Sequence, residues 1–269
     1  MTGNRGVRVT DEMPPASDPL VTAPGQIEIA LETDDTLLGR TLLDVGATTG
    51  WHHHNDRDVY GVVLSGEGAL EYGPRETRTT ATSRDGAIDT ASDGAVELTP
   101  GGFFHIPAGV VHREANLGEE RLVALVALVG SGEQTTAAAP PTEPPETPPR
   151  AASREELVST AELANLTRLT PFPDAPVQQV YGHSSGKMES SWHHHGDNDV
   201  LGYVIEGEGY VDLPGVTDDR VLAQAGEFFH IPAGVIHRHV NPIDDEQEYV
   251  LWLTGSEPRI FRVDMDDPQ

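Results

Sequence analysis

The chain has 269 residues and a mass of 28.9 kDa, room for one large domain or two moderate ones. Forty-four acids face seventeen bases, giving a formal charge of −27 and a pI near 4.5. Such a field repels nucleic-acid phosphates and anionic lipid, which argues against both as partners. The absence of Cys removes disulfides, thiolate metal ligands and Cys nucleophiles together.

Residues 1–25 are rich in Pro and Asp and are expected to form a disordered arm. No apolar h-region follows the start, and the longest apolar run, Leu122–Val129, has the length of a strand. From residue 26 to 130 the pattern reads as strands: Thr41–Val45, Val59–Leu64, Leu70–Tyr72, Phe103–Ile106 and Leu122–Val129. The polar, turn-rich stretch Gly73–Glu97 reads as a long surface loop or hairpin. Residues 131–152 read as a Pro-rich linker, exposed and extended, because six of the ten residues 140–149 are Pro. Ser153 and Glu156 fit a capping box, so a short helix is expected to lead residues 153–269. Strands follow at Val177–Tyr181, Val200–Ile205, Tyr210–Leu213, Glu227–Ile231 and Tyr249–Leu253. Short strands with few intervening helices predict an all-β protein of the barrel or jelly-roll type.

The two halves repeat one another. WHHHNDRDVYGVVLSGEG begins at Trp51 and WHHHGDNDVLGYVIEGEG at Trp192, with twelve of eighteen positions identical. GGFFHIPAGVVHREAN begins at Gly101 and GEFFHIPAGVIHRHVN at Gly226, with twelve of sixteen identical. Ten of the twelve His fall in matched sets: His52, His53, His54, His105, His112 and His193, His194, His195, His230, His237. On a strand, residues i and i+2 share a face, so His52 and His54 can converge while His53 turns away. His112 from a distant strand would complete a triad, and neutral imidazole suits Fe, Zn, Cu and Ni.

These residues resemble the two signature motifs of the cupin superfamily. In the first half the motif runs from Gly46 through His52-x-His54 to Gly66, then Gly101, Pro107-x-Gly109-x-x-His112 and Asn116. In the second half it is His193-x-His195 with Gly207, then Gly226, Pro232-x-Gly234-x-x-His237 and Asn241. The resemblance covers most of residues 26–262 and implies two cupin jelly-roll barrels (double-stranded β-helices) in one chain, a bicupin. It implies a metal held by His52, His54 and His112 in one barrel and by His193, His195 and His237 in the other. The family's motif Glu is missing: Val59 and Val200 stand in its place. Asp58 and Asp199, one residue earlier, should face the other side of the strand. Three His plus water are therefore the expected ligands, similar to the iron centres of some cupin dioxygenases.

His105 and His230 either stand behind the ligands, or act as general bases, or hydrogen-bond on the barrel exterior. Asp56 and Asp197 either orient a ligand imidazole or shape a turn. Arg113 and Arg238 alternate away from the third His and should form surface ion pairs. The resemblance leads to a mononuclear non-haem Fe(II) dioxygenase acting on a small organic substrate, as a monomeric bicupin or a homo-oligomer. Redox-neutral isomerase, lyase or cyclase chemistry on Zn, Mn or Ni is the alternative, and a non-catalytic binding cupin a further one.

Sixteen of the seventeen bases are Arg, with Lys187 the single Lys. An acid-rich, nearly Lys-free chain is expected to work in the molar salt of a halophilic cytoplasm, where screening relieves self-repulsion. Dialysis from molar to low salt should lower the melting temperature, and a melting temperature indifferent to salt would refute this expectation.

Overall fold

The computed structural model describes residues 6–12, 25–74, 94–163, 165–215, 220–257 and 259–265. The chain forms two compact units, one spanning Met13–Glu155 and the other combining Met1–Glu12 with Glu156–Gln269. Both are built almost entirely of antiparallel strands. No helix among the described residues is long and apolar enough to cross a membrane.

The N-terminal barrel carries a six-stranded sheet in the order Arg150–Ala152, Phe103–Ile106, Asp56–Ser65, Leu122–Ser131, Thr36–Leu43, Gly25–Glu32. Against it stands a three-stranded sheet of Ala95–Leu98, Gly68–Glu71 and Arg113–Asn116. Val59, Val63, Leu70, Phe104, Ile106 and Val126 fill the space between them. These β-branched and aromatic side chains pack well on a pleated surface, which is why the strands form here. Gly61 leaves room for the ring of its cross-strand partner Phe104, which a Cβ there would approach to 2.0 Å.

The C-terminal barrel repeats the plan. Its seven-stranded sheet runs Arg8–Thr10, Phe228–Ile231, Val200–Glu206, Gln247–Leu253, Gln178–Ser184, Leu166–Thr170, Val158–Leu163. A four-stranded sheet of Met188–Glu189, Arg238–Asn241, Glu208–Asp212 and Val221–Gln224 opposes it. Gly202 stands where Gly61 stands in the first barrel, with its absent Cβ 2.2 Å from the Phe229 ring.

Three expectations need correction. First, part of the 1–25 arm is ordered: Arg8–Thr10 pairs with Phe228–Ile231, and Val7 is fully buried in the C-terminal core. The remainder, residues 1–5 and 13–24, lies outside the described residues. Second, the 131–152 stretch is part of the N-terminal unit rather than a spacer. Thr136–Ala137 pairs with His52–His53, and Arg150–Ala152 pairs with Phe103–Ile106. Pro is compatible with such edge positions because an edge strand can leave N–H groups unpaired. Third, the expected leading helix is a single 3-10 turn at Arg154–Glu156, followed by the strand Val158–Leu163. The capping signal sets only one turn; pairing with Leu166–Thr170 then overrides local propensity. The expected loop in Gly73–Glu97 falls mostly on residues 75–93, outside the described residues. The strands Gly68–Glu71 and Ala95–Leu98 on either side of it are paired.

Candidate metal centres

Each barrel gathers its histidines through one backbone bridge. His52 and His112 exchange two backbone hydrogen bonds, at 2.9 and 2.8 Å, and His193 and His237 do the same at 3.0 and 2.8 Å. The next residue but one, His54 or His195, is brought in by a left-handed turn just beyond it. That turn uses Asn55 (φ 55°) in one barrel and Gly196 (φ 62°) in the other, two residue types that tolerate the conformation. In the N-terminal barrel the ring centroids of His52, His54 and His112 lie 5.0, 4.4 and 5.1 Å apart. In the C-terminal barrel those of His193, His195 and His237 lie 4.9, 4.5 and 5.2 Å apart.

Every one of these six rings is fixed through its Nδ1. His52 Nδ1 bonds Gly50 O at 2.8 Å, His54 Nδ1 bonds Gln134 O at 2.6 Å, and His112 Nδ1 bonds Val110 O at 2.8 Å. His193, His195 and His237 bond Ser191 O, Arg259 O and Val235 O at 2.7, 2.6 and 2.9 Å. A carbonyl only accepts, so each Nδ1 carries the proton and each Nε2 presents a lone pair. The Nε2 atoms of His112, His193 and His237 are buried without any hydrogen-bond partner. Buried polar atoms are rarely left so, and three convergent imidazole lone pairs are the donor set of a divalent metal. The ligand atoms of His52, His54 and His112 lie within 4.8 Å of one another.

Burial disfavours the charged form of five of these rings. It is the largest cause pushing His54 and His237 down to about 3 and His195 down to about 4, and it also lowers His52 and His193. Above pH 6.5 folded and unfolded chains are both neutral at these sites. As pH falls below 6.5 the unfolded chain takes up protons that the folded chain refuses, so stability is lost from there down toward pH 3–4. In metal-free protein the ring resonances of His54, His195 and His237 should still report neutral imidazole at pH 5. Midpoints near 6.5 would contradict this.

Two residues complete the sites, and neither was anticipated. Glu114 follows His112 by two, shares its face of the strand, and places Oε1 3.5 Å from His112 Nε2 and Oε2 4.0 Å from His52 Nε2. The Thr49 hydroxyl donates to Glu114 Oε2 at 2.7 Å. The Thr49 bond favours the charged form of Glu114 against the cost of its burial. A carboxylate thus returns to the first centre from a different strand than the family motif supplies. At the same place in the second barrel stands His239, whose ligand atom lies within 4.8 Å of those of His193 and His237. The signal available in the sequence was the two-residue strand period counted forward from the third His.

The remaining candidates lie elsewhere. His105 Nε2 bonds Asp58 Oδ1 at 2.9 Å, and His230 Nε2 bonds Asp199 Oδ1 at 2.6 Å. The His230 bond holds the Asp199 carboxyl below its usual range. Arg8 Nη2 lies 3.2 Å from His230 Nδ1, so that pair is engaged on the sheet away from the triad. Asp56 is exposed, and Asp197 bonds Ser256, so backbone carbonyls rather than these carboxylates orient the triads. Arg113 pairs with Glu71 at 2.6 Å and covers Trp51; Arg238 pairs with Asp212 at 2.9 Å and covers Trp192.

The family model of the cupin domain matches residues 39–128 and 183–254. The chain belongs to the cupin family. No curated protein sequence matches this cupin. Among solved structures it is similar to the oxalate decarboxylase of Lactobacillus farciminis in its formate complex, with a TM-score of 0.68 at 11% identity, covering 96% of this chain and 88% of that one. Oxalate decarboxylase from Bacillus subtilis at pH 4.6 gives 0.69 at 10% identity, covering 96% and 78%. AerE from Microcystis aeruginosa gives 0.63 at 14% identity, covering 92% and 100%. At these identities the likeness concerns the two-barrel fold.

Proposed function

We propose that this cupin is a mononuclear-metal enzyme that takes a small organic substrate through oxygen donors. The observation that carries this reading is the set of six imidazoles, each bonded through Nδ1 to a backbone carbonyl, which leaves Nε2 as the donor atom. His52, His54 and His112 would hold the metal of the N-terminal barrel, and His193, His195 and His237 that of the C-terminal barrel. A divalent metal, when bound, supplies Lewis-acid polarisation of the substrate oxygens, and Fe(II) adds access to O₂ chemistry. Three neutral ligands leave two positive charges, of which Glu114 beside the N-terminal centre offsets one, and the remaining charge favours an anionic chelating substrate. An Fe(II) dioxygenase on such a substrate is the first reading.

Glu114 supports a second, oxygen-independent reading. Its Oε2 is engaged by Thr49, and its Oε1 stands beside the His112 Nε2, placed to take a proton from a bound substrate. The decarboxylases that share the fold act on a small dianion, which is the type of ligand this centre suits. The test is metal analysis of protein purified without chelating resin, followed by O₂ uptake with catechol, β-diketone, flavonol and hydroxy-acid substrates, and CO₂ release with oxalate. Iron with substrate-dependent O₂ uptake supports the first reading. Manganese, zinc or nickel with O₂-independent turnover supports the second. Protein that binds no metal, even on reconstitution, overturns both.

A further inference from the structure

The two centres share one backbone frame, and on the strand that follows the third His they differ at Glu114 against His239. Both lie two residues past the third His, and both backbones bond the same neighbour: Glu114 N donates to Thr49 Oγ1 and His239 N to Ser190 Oγ, each at 2.9 Å. The side chains then behave differently. Glu114 is tied to the Thr49 hydroxyl. The His239 ring makes no hydrogen bond among the described residues, and lies 5.2 Å from the His237 ring and 5.9 Å from that of His193. Its ligand atom joins theirs within 4.8 Å, a group that does not include His195, whose ring centroid lies 4.9 and 5.2 Å from those of His193 and His237.

The interior above this cluster is also filled. Strand register puts Tyr249 where the first barrel has Ala124, and Gly182 where it has Thr41. The Tyr249 ring lies over Gly182, where a Cβ would come within 2.1 Å of it. The same ring is parallel to that of His239, at 6.3 Å and 8°. Arg168 Nε donates to the Tyr249 hydroxyl at 3.2 Å. The space between His239 and Tyr249, lined also by Val204, Tyr210 and Phe229 but by none of His193, His195 and His237, is a cavity of about 20 Å³, enough for a water molecule.

From this we infer that His239 is a fourth imidazole ligand that closes the C-terminal centre, so that it holds a metal without turning over substrate. The N-terminal centre, with Glu114 in that place, is the open one. The inference rests on the metal reading above. Closed four-ligand sites serve structure, whereas catalytic sites keep a position free, and all-nitrogen donors favour Cu, Ni or Zn over Mn.

The experiment loads metal-free full-length protein with two equivalents of Cu(II) and reads it by pulsed EPR, with and without azide. Wild type should show two species, one with four imidazole nitrogens that ignores azide and one with three that shifts. His239→Gln should cost the first species one nitrogen, open it to azide, and weaken its Cu(II) affinity by at least about 10- to 100-fold, the cost of losing an outer partner alone. His239→Ala repeats the test without a side-chain donor, and circular dichroism confirms that either variant is folded. If wild type binds two Cu(II) and both folded variants keep its nitrogen count and azide response, His239 is a stacking residue and the inference falls while the metal reading stands. If wild type binds no Cu(II), both fall.

Discussion

Alanine in place of His112 is expected to strip the N-terminal centre of its metal and to abolish turnover. The side chain is fully buried, and its Nε2 is one of the three buried ring nitrogens that nothing else satisfies. Neighbouring residues cannot replace it: His52 and His54 are each held in place by a carbonyl, and Glu114 by Thr49. Metal content should fall from two equivalents to one by elemental analysis. Loss of metal polarisation removes several kcal/mol of transition-state stabilisation, so turnover should drop by about a thousandfold or more. His112→Ala protein that keeps two equivalents would refute the N-terminal centre. Glu114→Gln separates the two readings above. It should leave metal content intact, and should slow an O₂-independent reaction that needs the carboxylate more than an oxidation that does not.

Removal of residues 1–12 is expected to destabilise the C-terminal barrel alone. Val7 is wholly buried in that barrel's core, and burying a Val side chain is worth about 1.5–3 kcal/mol. The strand Arg8–Thr10 also caps the edge strand Phe228–Ile231, and each ladder hydrogen bond adds about 0.5–1.5 kcal/mol net. Ordering the arm offsets part of this, leaving roughly 3 kcal/mol. For a unit of this size that corresponds to a fall of roughly 10 °C in its melting temperature. Calorimetry should show one transition moving and the other, from the N-terminal barrel, unchanged. An unmoved pair of transitions would mean that the arm contributes nothing to stability. Val7→Asp should reproduce most of the shift with the chain length kept.

What could be read from the sequence was what the two halves have in common. The twin histidine runs, the Phe-Phe-His-Ile strands and the absence of the motif Glu are all visible by laying one half on the other, and strand alternation sends Asp58 and Asp199 to the far face where His105 and His230 meet them. The same comparison hides what differs. Glu114 against His239 is one of only four mismatches in the second motif pair, and nothing in composition distinguishes it from Val111 against Ile236. Its meaning appears only when the bridge from His52 to His112 fixes which face of Arg113–Asn116 looks inward. The arm and the Pro-rich stretch were misread for a different reason. Their composition argues against a self-sufficient strand, and the pieces that are strands, Arg8–Thr10, Thr136–Ala137 and Arg150–Ala152, are set by the barrel strands they pair with. Gln134 and Arg259 were illegible altogether, since they act through backbone carbonyls that any residue could supply.

The register of the two capping strands relates the two halves of the repeat. Arg150 stands opposite His105 as Arg8 stands opposite His230, so the two are the same strand in the two copies of the repeat. Yet each precedes one barrel in sequence and completes the other. In this chain each half of the repeat lends its leading strand to the open edge of the other, so neither half carries the whole of its own barrel.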